Sequence, residues 1–170
     1  MTRRQISRES PRTLARTRVW MPRDLTTYDG FLLLDTHIWI WYLEGATESL
    51  GQTVRDRLEH AASAGRLVVC DVSFWEVAIK AAKGRLHLSV DPMVWLHRAE
   101  QAPGIRCRPL TRSLLLQSTR LGDTVHNDPA DRMLIALARL EGMPLVTADR
   151  AIIDFAIADG VTPVVDARRG

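Results

Sequence analysis

The feature that most constrains this chain is a repeated change of hydrophobic period. Short apolar runs alternate along it with longer stretches whose apolar residues recur at helical spacing. The runs at 31–34, 67–70, 145–146 and 162–165 predict strands, and 105–108 predicts an edge strand. The stretches at 36–43, 48–64, 73–83, 91–101, 111–121, 128–141 and 150–158 predict helices. In the second of these, Leu50, Val54, Leu58 and Ala61 share one helical face, and Gly65 ends it. Strand–helix alternation of this kind predicts an α/β domain with three layers (α/β/α), a central parallel sheet flanked by helices. In such sheets, chemistry gathers at the carboxyl ends of the strands, where the helices begin.

Four acids fall at that rim. Asp35 follows the first strand, and Glu76 lies in the first turn of the helix expected after the second. Asp131 opens the helix that begins at Asp128-Pro129, and Asp149 follows the strand at 145–146. Each also has a plain structural role open to it. Asp35 and Asp149 fit N-caps, and Ser73…Glu76 and Asp128…Asp131 fit capping boxes. If the four converge, electrostatics asks for more: two carboxylates about 5 Å apart repel by roughly 3 kcal/mol at an effective dielectric of 20. Four together need protons or a cation. An oxygen-only donor set selects a hard ion, Mg²⁺ or Mn²⁺, over zinc. No serine–histidine or cysteine–histidine pairing offers a covalent route instead.

The remaining composition is that of one soluble domain. The chain has 170 residues, enough for a sizeable core. No apolar run reaches the roughly 18 residues of a membrane span, and no apolar segment follows Arg3-Arg4 as a secretory signal requires. A cytoplasmic protein without membrane contact is the expectation. Cys70 and Cys107 follow no metal-site spacing and read as reduced structural thiols. The net charge is +3, yet residues 1–28 carry seven arginines against Glu9 and Asp24, which leaves the body at −2. Residues 1–28 therefore read as a basic, disordered leader, with Met21 an alternative start, and 29–170 as the domain. A basic leader can also meet RNA phosphates.

At these residues the chain resembles the PIN-domain family. Leu33-Leu-Asp-Thr-His37 with Trp39 and Trp41 is similar to the family's opening "LLDTH…W". Ser73-Phe-Trp-Glu-Val-Ala-Ile-Lys80 and Lys83-Gly-Arg-Leu86 resemble "S.WE.AIK..GKL". Residues 126–136 resemble "H.DPFDR.LIA", and Leu145-Val-Thr-Ala-Asp149 resembles "LVT.D". The motifs keep family order and spacing over about residues 31–167. The resemblance implies a PIN fold and a Mg²⁺- or Mn²⁺-dependent nuclease site, with Asp35, Glu76, Asp131 and Asp149 as catalytic metal ligands. Asp128 and Thr147 would support them. Ala130 departs from the family's aromatic, and the leader has no counterpart. The single-domain size and the "WE.AIK" variant are similar to VapC-type toxins. That implies an RNA substrate, a VapB-type antitoxin as partner, and a homodimer. A PIN nuclease of RNA processing and a non-catalytic PIN scaffold remain the alternatives.

Other side chains stand near these motifs. Trp39, Trp41 and Tyr42 cannot all face inward from one short helix, so Trp39 or Trp41 is a candidate RNA or antitoxin contact. Lys80 and Arg132 are candidate phosphate contacts or plain solvated charges. Trp75 reads as core, and His126 as a loop hydrogen-bonding residue.

Overall fold

A computed structural model of the chain describes residue 25, residues 27–122 and residues 128–169. The expectations for most of the leader and for His126 lie outside the described residues.

Five short strands form one sheet: β1 (Leu32–Leu34), β2 (Leu67–Cys70), β3 (Ile105–Arg108), β4 (Leu145–Thr147) and β5 (Val164–Asp166). All neighbouring pairs are parallel, in the order β3-β2-β1-β4-β5. Strands this short are nonetheless well specified, because β1, β2 and β4 are buried on both faces and a slip of one residue would exchange their two sets of side chains. Among the described residues seven helices connect or flank them. They are α1 (Thr36–Glu44), α2 (Gln52–Ser63), α3 (Asp71–Ala82), α4 (Pro92–Glu100), α5 (Arg112–Ser118), α6 (Pro129–Glu141) and α7 (Arg150–Asp159). The three-layer α/β/α reading from sequence is thereby borne out.

The alternation within the strands divides the core in two. Leu33, Val68, Cys70, Leu145 and Val164 face one way, against Leu114 of α5, Leu134 and Ile135 of α6, and Ile152 and Phe155 of α7. Leu32, Leu34, Leu67, Val69, Val146 and Val165 face the other. There they meet Ile38 and Trp39 of α1, Val54 and Leu58 of α2, Val77 of α3 and Trp95 of α4. This division follows from chain direction. Crossovers between parallel strands are right-handed, so helices change face when the chain reverses its path across the sheet. The path runs from β1 to β2 to β3, then returns to the far side of β1. The reversal leaves a crevice between the carboxyl ends of β1 and β4.

Several local readings change. The helix expected at 48–64 is a 3₁₀ turn, Thr47–Ser49, followed by α2. Helix α3 begins at Asp71, with Cys70 as its N-cap, so Ser73 and Glu76 do not form a capping box. Trp75 is exposed at 54%, not core. At 100° per residue it lies almost opposite the buried set Val72, Ser73 and Val77. Trp39 is corrected in the other direction. It is fully buried, 4.7 Å from the Phe74 ring and 5.0 Å from that of Trp95, so it offers no surface to RNA or to a partner. Trp95 is tied to α1 through its Nε1, which donates to Glu44 Oε1 at 2.6 Å. Leu25, within the expected leader, is buried among the α1–α4 core residues, and Tyr28 packs beside them. Both cysteines are free thiols, Cys70 fully buried. Burial pushes the Cys70 thiol up to about 11, so it stays protonated and inert.

Candidate active site

The crevice between β1 and β4 is lined by the acids singled out above. Asp35 stands at the N-cap position of α1 but makes no capping bond. Its carboxylate instead turns across the crevice and is 3% exposed. Thr147 Oγ1, at the end of β4, donates to its Oδ2 at 2.5 Å. His37 Nδ1 lies 3.2 Å from its Oδ1. Thr147 Oγ1 in turn accepts the Asp149 N–H at 2.9 Å, which shapes the start of α7. Thr147 thus links the Asp35 carboxylate to the backbone of Asp149.

Glu76 reaches the same rim from the first half of α3. Thr36 Oγ1 donates to its Oε2 at 2.6 Å and lies 3.0 Å from the buried Ser73 hydroxyl. Lys80 Nζ is 2.5 Å from Glu76 Oε1. Burial works to lower the Lys80 pKa, but the Glu76 bond and charge, with Asp35 and Asp131 behind, hold it above its ordinary value. Lys80 is therefore a firmly charged ammonium at the edge of the acidic crevice. Arg132 is placed otherwise. Its Nε donates to Ser118 O at 3.0 Å and its Nη1 to Gly122 O at 3.3 Å, which commits the guanidinium to the end of α5.

Two acids do act as caps. Asp128 Oδ1 accepts from Ala130 N–H at 2.8 Å and Asp131 N–H at 3.4 Å. Asp149 Oδ1 accepts from Ala151 N–H at 2.7 Å and Ile152 N–H at 3.3 Å. For Asp149 this does not exclude ligation, since its second oxygen is not used in the cap. Asp131 is the acid most affected by the others. Burial raises its pKa most, then Asp35, Asp128, Asp149 and Glu76 in that order, and it reaches about 8. The four remote acids therefore share one electrostatic neighbourhood.

They are not drawn about a single point. Among the described residues no three His, Cys, Asp or Glu groups are gathered closely enough to enclose an ion. The reason is visible in the contacts. Asp35, Glu76 and Asp149 each satisfy themselves on protein donors, and like charges repel one another. The donor chemistry still fits a hard divalent cation. Every candidate ligand is a carboxylate, one is pushed to about 8 by burial and then by its neighbours, and the ammonium of Lys80 sits at the rim as a partial stand-in for positive charge.

Thr36 and His37 join the site without standing out in the sequence as site residues. Their adjacency to Asp35 is the signal that marks Thr36. For His37 there is less to read, because its second partner is the Ala148 backbone N–H, which donates to Nε2 at 3.1 Å.

A profile of the PIN domain matches residues 32–158, a span that contains all four acids. Ribonuclease VapC22 of Mycobacterium tuberculosis (strain ATCC 25618 / H37Rv) is 31% identical over 121 residues, covering 71% of this chain and 88% of that protein. Its similarity accords with the VapC-type resemblance of the four motifs. The solved structure of FitAB bound to an IR36 DNA fragment shares the fold at 18% identity, with a TM-score of 0.51. It covers 79% of this chain and 94% of the matched one. With the profile spanning both sides of the β1–β4 crevice, the chain belongs to the PIN-domain family.

Proposed function

We propose that this chain is a divalent-metal-dependent endoribonuclease that acts as the toxin of a toxin–antitoxin pair. The observation that carries the reading is the state of Asp131, raised to about 8 by burial and by Asp35, Asp128, Asp149 and Glu76 together. A crevice that crowds carboxylates together in this way favours a cation of high charge density. Similarity to a VapC ribonuclease supports RNA as substrate and a VapB-type antitoxin as partner. A homodimer belongs to the same proposal.

In this reading Asp35, Asp131 and Asp149 hold one Mg²⁺ or Mn²⁺, and Glu76 shares it or holds a second. When bound, such a cation supplies Lewis-acid charge to a phosphodiester and makes a neighbouring water more acidic. The chain's own residues do the rest. Thr147 and His37 fix Asp35, Thr36 fixes Glu76, and Asp128 fixes the start of α6 so that Asp131 faces the crevice. Lys80 places a positive charge where an RNA phosphate approaches. Trp41, half-buried, packs T-shaped against His37 at 5.0 Å and is the one of the two expected aromatic contacts that keeps some exposed surface.

The test is cleavage of single-stranded RNA with Mn²⁺, with and without excess chelator, by the wild type and by Asp131→Asn. The amide is nearly isosteric, and Asp128 still caps α6, so the fold is kept. Loss of metal-dependent cleavage by a thousandfold or so is expected, on the order of what removal of a key catalytic electrostatic group costs. Full activity in D131N, or in chelator, contradicts the nuclease reading. Mn²⁺ binding without RNA cleavage would favour the non-catalytic scaffold. Growth arrest on expression alone, relieved by a co-expressed VapB-type antitoxin, tests the toxin role.

A further inference from the structure

His37 has both ring nitrogens engaged, and the two partners determine its chemistry. The Ala148 N–H can only donate, so Nε2, 3.1 Å away, is the acceptor and carries the lone pair. The ring proton then sits on Nδ1, where it faces Asp35 Oδ1 at 3.2 Å. His37 thus turns its N–H side to the carboxylate, in a 3.2 Å contact, and accepts a hydrogen bond from the β4 end on the other. Trp41 closes against the ring edge and limits its rotation.

The consequence concerns spacing. Asp35 is held on one oxygen by Thr147 from β4 and on the other by His37 from α1. Both holders are themselves tied to residues 148 and 149, through Ala148 N–H to His37 and Asp149 N–H to Thr147. The result is a closed ring of three hydrogen bonds and one 3.2 Å His37–Asp35 contact that sets the Asp35 carboxylate relative to the segment carrying Asp149. If His37 is removed, Oδ1 loses its Nδ1 contact and Asp35 is free to pivot about the Thr147 bond.

We propose that His37 is a positioning residue: it locks Asp35 against the 147–149 segment and thereby sets the affinity of the acidic crevice for a divalent cation. This rests on the metal-dependent reading above. Hydrogen-bonding partners of metal ligands typically change metal affinity by about 10–100-fold when lost.

The test compares Mn²⁺ affinity, measured calorimetrically without RNA, in wild type, H37A, H37Q and H37N, with melting temperature followed in parallel. Asn places an amide N–H near the position of Nδ1 and can still serve Asp35. Gln reaches the Ala148 N–H with its carbonyl but brings no donor to Asp35. H37A and H37Q are expected to bind Mn²⁺ more weakly by about tenfold or more, with H37N recovering to within about threefold of wild type. A merely structural staple between α1 and β4 would give the opposite order, with H37Q the better replacement. Wild-type affinity in H37A or H37Q, or an H37N no better than H37A, overturns the proposal. A wild-type chain that binds no Mn²⁺ overturns the metal-dependent reading and this proposal with it, so the two failures are told apart.

Discussion

At Asp131, burial and neighbouring charge act in the same direction. Burial, then Asp35, Asp128, Asp149 and Glu76, raise its pKa from 3.8 to about 8. An acid raised on folding holds its proton more tightly in the folded chain than in the unfolded one. The folded state then binds more protons between pH 3.8 and about 8, and stability falls as pH rises through that interval. The metal-free protein should therefore melt at lower temperature at pH 8 than at pH 5. D131N should lose much of that slope, and Mn²⁺ should restore stability at pH 8. An unchanged slope in D131N would show that Asp131 is not the strained group. Trp39 presents a different kind of cost. Its indole Nε1 is buried without a hydrogen-bond partner among the described residues. Such an N–H costs about 1–3 kcal/mol, which offsets much of the packing lost on replacement by a smaller ring. W39F should unfold in urea within about 1 kcal/mol of wild type, whereas W39A should lose about 3–5 kcal/mol. Equal losses in the two would refute this. Residues of this kind differ in how well a sequence displays them. Asp35, Glu76, Asp131 and Asp149 stand out because each sits just beyond a strand or inside a helix start. His37 does not, because half of its role is played against a backbone amide that any residue at 148 would supply.

Elements were legible wherever the hydrophobic period ran long enough. Helix α6 is expected from Asp128 and Pro129 at one end and Gly142 at the other, and it runs from Pro129 to Glu141 with Asp128 as N-cap. Gly142 ends it at φ 63°, where a side chain would be strained. The start of α3 was less legible. Ser73 and Glu76 match a capping box in spacing, but their side chains are taken by Thr36 and Lys80 from other positions, and the helix starts without them. Tertiary contacts overrode the local pattern. Trp75 was misplaced for a related reason, since a single aromatic in a short amphipathic helix does not say which face is buried. Gly104 is the element-scale position that leaves least freedom. It precedes β3 at φ 83°, and a Cβ there would strike the Ala62 carbonyl at the end of α2. G104A should therefore destabilise the protein by more than about 1 kcal/mol, read as a lowered urea midpoint. A neutral G104A would mean that the α2–β3 approach relaxes readily.

For the whole molecule, the decisive fact is the path of the chain across its sheet. One reversal, between β3 and β4, sends α1–α4 to one face and α5–α7 to the other and opens the crevice at β1 and β4. The alternation of strand and helix makes that architecture legible, and the rule for strand ends points to the rim. Strand order is not written in the periodicity, so the sequence alone does not say which ends become neighbours. The structure places Asp35 and Thr147 in hydrogen-bond contact across that junction. It also leaves the acids spread on protein donors, with none of the described groups closed about an ion. The claim that they close together on one is best tested by locating the ion itself. Crystals of the wild-type chain grown with Mn²⁺ should show, in anomalous scattering, a manganese peak within bonding distance of Asp35 and Asp131. Crystals in which manganese is found only away from Asp35 and Asp131, or not at all at saturating Mn²⁺, would contradict it.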